Sequence, residues 1–184
     1  MADTSNDAGP DDAEADGGEA AAPEPERRHG VLVTYSRGQA VLHPSRDELV
    51  TLVRDLRDDE GFRVCVDVTA VDYRAFDAPR DLPEGVVPER FEVVVGLLCH
   101  ARAERLRLRV QVPESDPTCP SLFDVHPGVE ALEREASDMF GVVFEGHPDP
   151  TRILMPEDWE GHPLRKDHPV GQIPVQFKGV QNAR

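Results

Sequence analysis

Residues 91–112, FEVVVGLLCHARAERLRLRVQV, decide the fold. Phe91, Val93, Val95 and Leu97 form one alternating apolar row, and Leu106, Leu108, Val110 and Val112 form a second after the link from His100 to Glu104. Successive strand side chains point to opposite faces, so each row is the inward edge of a strand. Two such rows joined by so short a link are a hairpin.

Working outward, Val64, Val66, Val68 and Ala70 alternate with Cys65, Asp67 and Thr69, which predicts a further strand with its valines and alanine inward. Val31–Tyr35 and Gln39–Leu42 read as two short strands around a turn of Ser36, Arg37 and Gly38. Between them and the hairpin lies a helix with clear punctuation. Ser45 and Glu48 are spaced as a capping box, Leu49, Leu52, Val53 and Leu56 make its buried stripe, and Gly61 ends it. Residues 75–88, rich in Pro and Asp, read as an exposed loop. The class is α+β: a four- to five-stranded mixed or antiparallel sheet with flanking helices. No internal repeat is visible.

The ends differ from this body. Residues 1–28 hold nine acids against Arg27 and Arg28 and are otherwise mostly Ala, Gly, Pro and small polar residues, so they are predicted to be a disordered acidic tail. They contain no apolar stretch of the kind a signal peptide needs. The chain carries a formal net charge of −16, which argues against nucleic acid as a partner, because phosphate binding needs clustered Lys and Arg. Its apolar run Val93–Leu98 is far short of the ~20 residues of a spanning helix, so membrane contact is expected only through partners. Cys65, Cys99 and Cys119 are scattered without a C-x-x-C, which argues for a reducing compartment and against a cluster or zinc site built from cysteine alone.

A second helix is predicted over 127–140, with Val129, Leu132, Ala136, Met139 and Phe140 on one face, Pro127 in its first turn and Gly141 at its stop. Glu133 and Glu135 border the apolar stripe, and Arg134 and Asp138 stand at i, i+4 on the outer side. The body is therefore placed at 29–145. Beyond it, residues 146–184 begin with a stretch broken by Pro148, Pro150, Pro156, Pro163 and Pro169 that still carries Ile153, Leu154, Met155 and Trp159. So many prolines exclude a long helix or central strand, and the segment is read as an extended docking arm whose apolar anchors pack on another protein.

Catalytic equipment is sparse. Five of the seven histidines, His43, His126, His147, His162 and His168, precede proline, and H-E-x-x-H is absent, so turn and interface roles outweigh a metal site. No G-x-G-x-x-G, Walker loop or G-x-S-x-G occurs. Glu133, Glu135 and Asp138 are the one dense carboxylate cluster, and a free-standing hydrolase would have to use Glu133 and Glu135 as acid and base. Ion pairing of these acids to Arg134, or to Arg165 and Lys166 with Asp167 beside them, is the plainer reading, since no nucleophile accompanies them.

Three blocks carry a family resemblance: Glu133-Arg134-Glu135-Ala136-Ser137-Asp138-Met139-Phe140-Gly141, then Gly146-His147-Pro148, then Trp159-Glu160-Gly161-His162-Pro163-Leu164-Arg165-Lys166-Asp167. Together they closely resemble the C subunit of NADH-quinone oxidoreductase, the 30 kDa subunit family of respiratory complex I. Thr69–Tyr73 and the two hairpin strands are similar to it too, so the likeness runs roughly from Val31 to Lys178. The chain departs from the family pattern at Ser137, at Pro150-Thr151 and at His168. The resemblance implies a protein with no catalytic residue or redox centre of its own, FMN and iron-sulfur clusters being carried elsewhere in the complex. It implies docking chiefly on the D subunit near the quinone site, beside neighbouring peripheral-arm subunits, on the cytoplasmic side of the bacterial cell membrane. The whole would be a translocase that passes electrons from NADH to quinone. The residues it points to for the partner interface are Glu133, Arg134, Glu135, Asp138, Phe140, Gly141, Arg152, Trp159, Arg165, Lys166 and Asp167. An equivalent subunit of a membrane-bound [NiFe] hydrogenase shares the signature and stands as the alternative.

Overall fold

The computed structural model describes residues 24–169. The first 23 residues of the expected acidic tail and the end of the expected arm, 170–184, lie outside the described residues. Among the described residues there are eight strands and two α-helices: β1 Arg27–Arg28, β2 Val31–Ser36, β3 Gln39–Leu42, α1 Arg46–Asp58, β4 Val64–Asp72, β5 Phe91–Cys99, β6 Glu104–Val112, β7 Thr118–Pro120, α2 Glu130–Phe140 and β8 Val143–Glu145. A 3-10 turn at Pro127–Val129 leads into α2.

The main sheet has six strands in the order β1-β2-β3-β6-β5-β4, one more than the upper end of the sequence-based count. The extra strand is Arg27–Arg28, which pairs with Leu32 and Val31. Its anchoring is ionic as well, because Arg28 meets both Glu60 and Glu104. The sheet is mixed: β5 and β6 form the expected antiparallel hairpin, while β3 lies parallel to β6 with Ala40 opposite Leu106. The β2–β3 turn holds Arg37 at φ 52° and Gly38 at φ 75°, the pair of left-handed residues that a tight two-residue hairpin requires.

The hairpin rows supply the core as their periodicity predicts. Phe91, Val93, Val95, Leu97, Leu106, Leu108, Val110 and Val112 are all buried with Leu49, Leu52, Val53 and Leu56 of α1. Ser45 accepts from the Glu48 N–H and Glu48 accepts from the Ser45 N–H, the reciprocal cap read in the sequence. After α1 the chain reverses through Gly61 at φ 73°, and the Phe62 N–H returns to Leu56 O at 3.0 Å.

The alternation along β4 holds only in its second half. Val68 and Ala70 are buried, but Val66 is 44% exposed. The cause is a register shift between Cys65 and Asp67 against β5, a bulge that reverses the facing of the residue inside it. Glu92, on the outer side of β5, is also unlike its sequence context: it is 1% exposed and bonded to Arg109 at 2.8 Å and to Gln111 at 2.5 Å. The 73–90 loop folds over that end of the sheet, with Asp81 O accepting from Arg109 and Gln111 accepting from the Glu89 N–H. Val143–Glu145 forms half of a small parallel pair, β7 with β8, that sequence periodicity did not resolve.

Candidate docking site

Helix α2 packs against β4 at the edge of the sheet, and the chain that follows β8 folds back along it. Gly141 caps the helix at φ 74°, which lets the backbone leave at a sharp angle. From there residues 146–169 contain turns and no helix or strand, in line with their prolines.

The arm is fastened at successive heights of α2. At the first turn, the His147 ring bonds to Glu130 O at 3.0 Å. One turn on, Arg134 donates to Thr151 O at 3.0 Å and to the Thr151 hydroxyl at 2.9 Å. At the next, the Asp138 carboxylate gathers three consecutive backbone N–H groups on Oδ2, those of Ile153, Leu154 and Met155 at 3.2, 2.9 and 2.9 Å. Its Oδ1 accepts from Arg152 at 2.5 Å, and Arg152 reaches on to Gly161 O at 3.0 Å. Burial by itself pushes the Asp138 carboxyl up, but the N–H groups of Met155 and Leu154, then Arg152 and Ile153, outweigh it and hold it below the usual carboxylate range.

The C-terminal turn of α2 is closed by the arm. A helix leaves its last four carbonyls without partners inside the helix. Here Ser137 O accepts from the Gly141 N–H, Asp138 O from the His162 ring at 3.0 Å, Met139 O from the Leu164 N–H at 3.0 Å, and Phe140 O from Arg165 Nε at 2.6 Å. Arg165 also reaches Gly141 O and lies over the Phe91 ring, 5.1 Å from its centre. Its charge stands where the negative end of the helix dipole favours a cation.

Beyond Arg165 the arm meets the end of the sheet. The Asp72 side chain, at the end of β4, is fully buried and forms a two-pronged pair with Arg90 at 2.9 and 3.1 Å. The same carboxylate accepts the Lys166 N–H at 2.9 Å, and Arg90 also meets Asp167 at 2.8 Å. Burial opposes the charge on Asp72, yet Arg90 and the N–H groups of Lys166 and Arg74 hold its carboxyl down at about 2.

The residues expected at a partner surface therefore divide. Glu133 is 0% exposed, accepting from the Ser121 hydroxyl at 2.6 Å and the Leu122 N–H at 2.7 Å, and burial pushes its carboxyl up. Glu133, Asp138 and Gly141 are spent inside the chain, and Arg134, Arg152, Arg165 and Asp167 bond within it as well. The expected Arg134–Asp138 pair does not form, because Arg134 pairs with Glu130 and Asp149 while Asp138 takes Arg152. Nor does Arg165 or Lys166 meet the helix acids: Arg165 is drawn to carbonyls and Lys166 contributes its backbone. Phe140 is half-buried against the core. Glu135 is exposed, and Trp159 is half-buried with its ring 6.5 Å from that of His168. Buried Glu133 and exposed Glu135 lie on different sides of α2, so they do not flank a shared cleft as a catalytic pair must.

Asp72, Arg90 and Ser121 belong to this site and were not singled out as site residues from the sequence, whereas His162, expected in a turn or interface role, bonds the end of α2. Asp72 had a readable signal, since it continues the inward row of Val68 and Ala70 as an acid in a core position. Among the described residues no group of three or more His, Cys, Asp and Glu could hold a metal ion, and no helix is long and apolar enough to cross a membrane.

The fold and site thus define an α+β domain whose helix α2 holds down a proline-rich arm through Asp138, Arg134 and Arg165. Residues 42–173 match the family described as respiratory-chain NADH dehydrogenase, 30 Kd subunit, and the chain belongs to that family. It is similar to the C subunit of NADH-quinone oxidoreductase from Saccharopolyspora erythraea, 45% identical over 151 residues, and to that from Nocardia farcinica, 46% identical over 151 residues. Each match takes in 81% of this chain but only 57% and 56% of those relatives, so the chain spans little more than half their length. Among solved structures it resembles the trypsin-resistant fragment (1-134) of Nqo5, with TM-score 0.57 and 32% identity over 65% of this chain and 89% of that one. It also shares its fold with a chain of the membrane-bound sulfane sulfur reductase, an archaeal respiratory membrane complex, with TM-score 0.62 and 20% identity over 84% of this chain and 90% of that one.

Proposed function

We propose that this chain is a non-catalytic, peripheral subunit of a proton-pumping NADH-quinone oxidoreductase. It docks on the D subunit near the quinone site, on the cytoplasmic side of the membrane, and supports electron transfer from NADH to quinone that proceeds elsewhere in the complex. One observation carries the docking part of this reading. With its backbone fastened to α2, the arm turns Ile153, Leu154 and Leu164 outward at 41, 58 and 49% exposure. Large apolar side chains held in place on a fixed backbone are what a permanent interface covers. The Asp138 carboxylate fixes the backbone beneath Ile153 and Leu154.

The equivalent subunit of a membrane-bound [NiFe] hydrogenase is the second reading, and it rests on the signature blocks around Glu133–Gly141 and Trp159–Asp167. The relatives at 45 and 46% identity favour the quinone enzyme. The deciding experiment is a pull-down of the tagged chain from detergent-solubilised membranes, with partners identified by mass spectrometry. Recovery of complex I subunits with NADH-to-quinone activity in the eluate is the expected result. Hydrogenase subunits would move the chain to the second reading, and recovery of the chain alone would overturn both.

A further inference from the structure

An open groove of about 1020 Å³ crosses the sheet at the start of β6, lined by five arginines and only two carboxylates in a chain of net charge −16. Two of the arginines are already committed, Arg28 to Glu60 and Glu104, and Arg102 to the same two acids. The other three, Arg37, Arg105 and Arg107, are exposed and enter none of the ion pairs among the described residues. Val66, turned outward by the β4 bulge, and Gly96 form the floor between them.

We propose that this groove binds the chain's own acidic segment 1–23, which lies outside the described residues. That segment carries seven carboxylates and neither Lys nor Arg. The path of the backbone brings it to the right place. Glu26 O accepts the Val33 N–H at 2.9 Å and the Glu26 carboxylate accepts from the Tyr35 hydroxyl at 2.8 Å, so β1 is prolonged antiparallel to β2. At Glu26 the chain is therefore heading along β2 towards the Ser36–Gln39 turn, where Arg37 and Tyr35 stand at the mouth of the groove. A segment tethered there meets the arginines at high effective concentration, which makes weak exposed ion pairs sufficient. The contact is electrostatic and therefore fades as salt shortens the screening length.

The test is the rate at which phenylglyoxal modifies individual arginines in the full-length chain, read by peptide mass spectrometry. A variant in which every Asp and Glu of residues 1–23 is replaced by Asn or Gln serves as the comparison. Arg37, Arg105 and Arg107 are expected to react several-fold faster in the variant, while Arg54 and Arg63, exposed elsewhere, do not change. Salt at about 1 M, where the Debye length is about 3 Å, is expected to unmask the same three arginines in the native chain. Equal rates in the two chains, or a uniform rise at all arginines, would overturn the proposal. Protection that grows with protein concentration would overturn it too, by placing a second copy's segment in the groove.

Discussion

Replacing Asp138 separates the two halves of the arm clamp. Oδ2 takes the three backbone N–H groups of Ile153, Leu154 and Met155, and Oδ1 takes Arg152, so Asp138→Asn can keep the first set on its amide oxygen while its NH2 is forced against Arg152. Losing one hydrogen bond between charged groups costs about 1.5–3 kcal/mol. Asp138→Ala removes every acceptor at once. Residues 153 and 154 are 41 and 58% exposed, so water can reach part of what is freed. The loss is therefore placed at about 3–5 kcal/mol, the range for stripping one partner from a buried charged contact. At 1.4 kcal/mol per factor of ten, the open arm becomes roughly 10²–10³ or more times as populated in Asp138→Ala and roughly 10–10² times as populated in Asp138→Asn. The readout is local: hydrogen exchange at the Ile153–Met155 amides and tryptic cleavage after Arg152 and Arg165, with the core hairpin as internal reference. Because the Asp138 carboxyl is held below its ordinary range, its contribution is complete above pH ~4 and is lost only as pH falls through the depressed value. Arm exchange should thus show no Asp138 titration between about pH 5 and 8. Unchanged protection of the Leu154 and Met155 amides in Asp138→Ala would refute the clamp.

Three other perturbations probe neighbouring contacts. Gly141→Ala puts a Cβ 2.6 Å from the His162 ring and nearer still to Arg165, on a backbone at φ 74°. It is expected to cost about 2–4 kcal/mol from left-handed strain and overpacking together, visible as a lower thermal midpoint and faster trypsin cutting of the arm. Arg90→Ala leaves the Asp72 carboxylate buried without its cation and is expected to cost about 3–5 kcal/mol in urea unfolding, whereas Arg74→Ala, at a pair 49 and 58% exposed, costs under about 1 kcal/mol. Similar losses from both would show that the buried pair is not special. Glu133→Gln tests the opposite kind of carboxyl: burial raises its pKa, so the charged form is a burden that grows as pH climbs from the ordinary value to the raised one. The variant is expected to equal or exceed the native chain in stability at pH 7, with the difference shrinking towards pH 4. A clear loss at pH 7 would show that the Ser121 and Leu122 contacts need the charge.

The body of the fold was legible because its signals are local. A capping box, two alternating rows and a Gly-stopped helix each declare themselves within about ten residues, and all of them stand where the periodicity placed them. The misreadings all arose where a distant partner decides the outcome. Val66 faces outward because a bulge against β5 shifts it, and no residue near Val66 announces a bulge. Arg27 and Arg28 read as the end of an acidic tail, yet two carboxylates at Glu60 and Glu104 draw Arg28 into the sheet. Around α2 and the arm, the sequence reading expected outward contacts for acids that the fold satisfies from within. Acids bordering a helix stripe look like an invitation to a partner, and the contacts that satisfy Glu133 and Asp138 come from elsewhere in the same chain.

That difference changes how the surface works. An arm free in solution would have to be ordered on contact with its partner, at about 1–2 kcal/mol of backbone entropy per residue fixed. Spread over even the few residues from Arg152 to Met155, this rivals the free energy of a modest interface. Asp138, Arg134 and Arg165 meet much of that cost within the folded chain, using helix groups that needed partners in any case, since the last carbonyls of α2 would otherwise face the arm unsatisfied. Under the proposed docking, the apolar side chains are presented on a backbone already in place, and association would gain from their burial with little ordering left to offset it. On this account a substitution beneath the arm weakens assembly as surely as one on its outer face, and it does so without touching the partner.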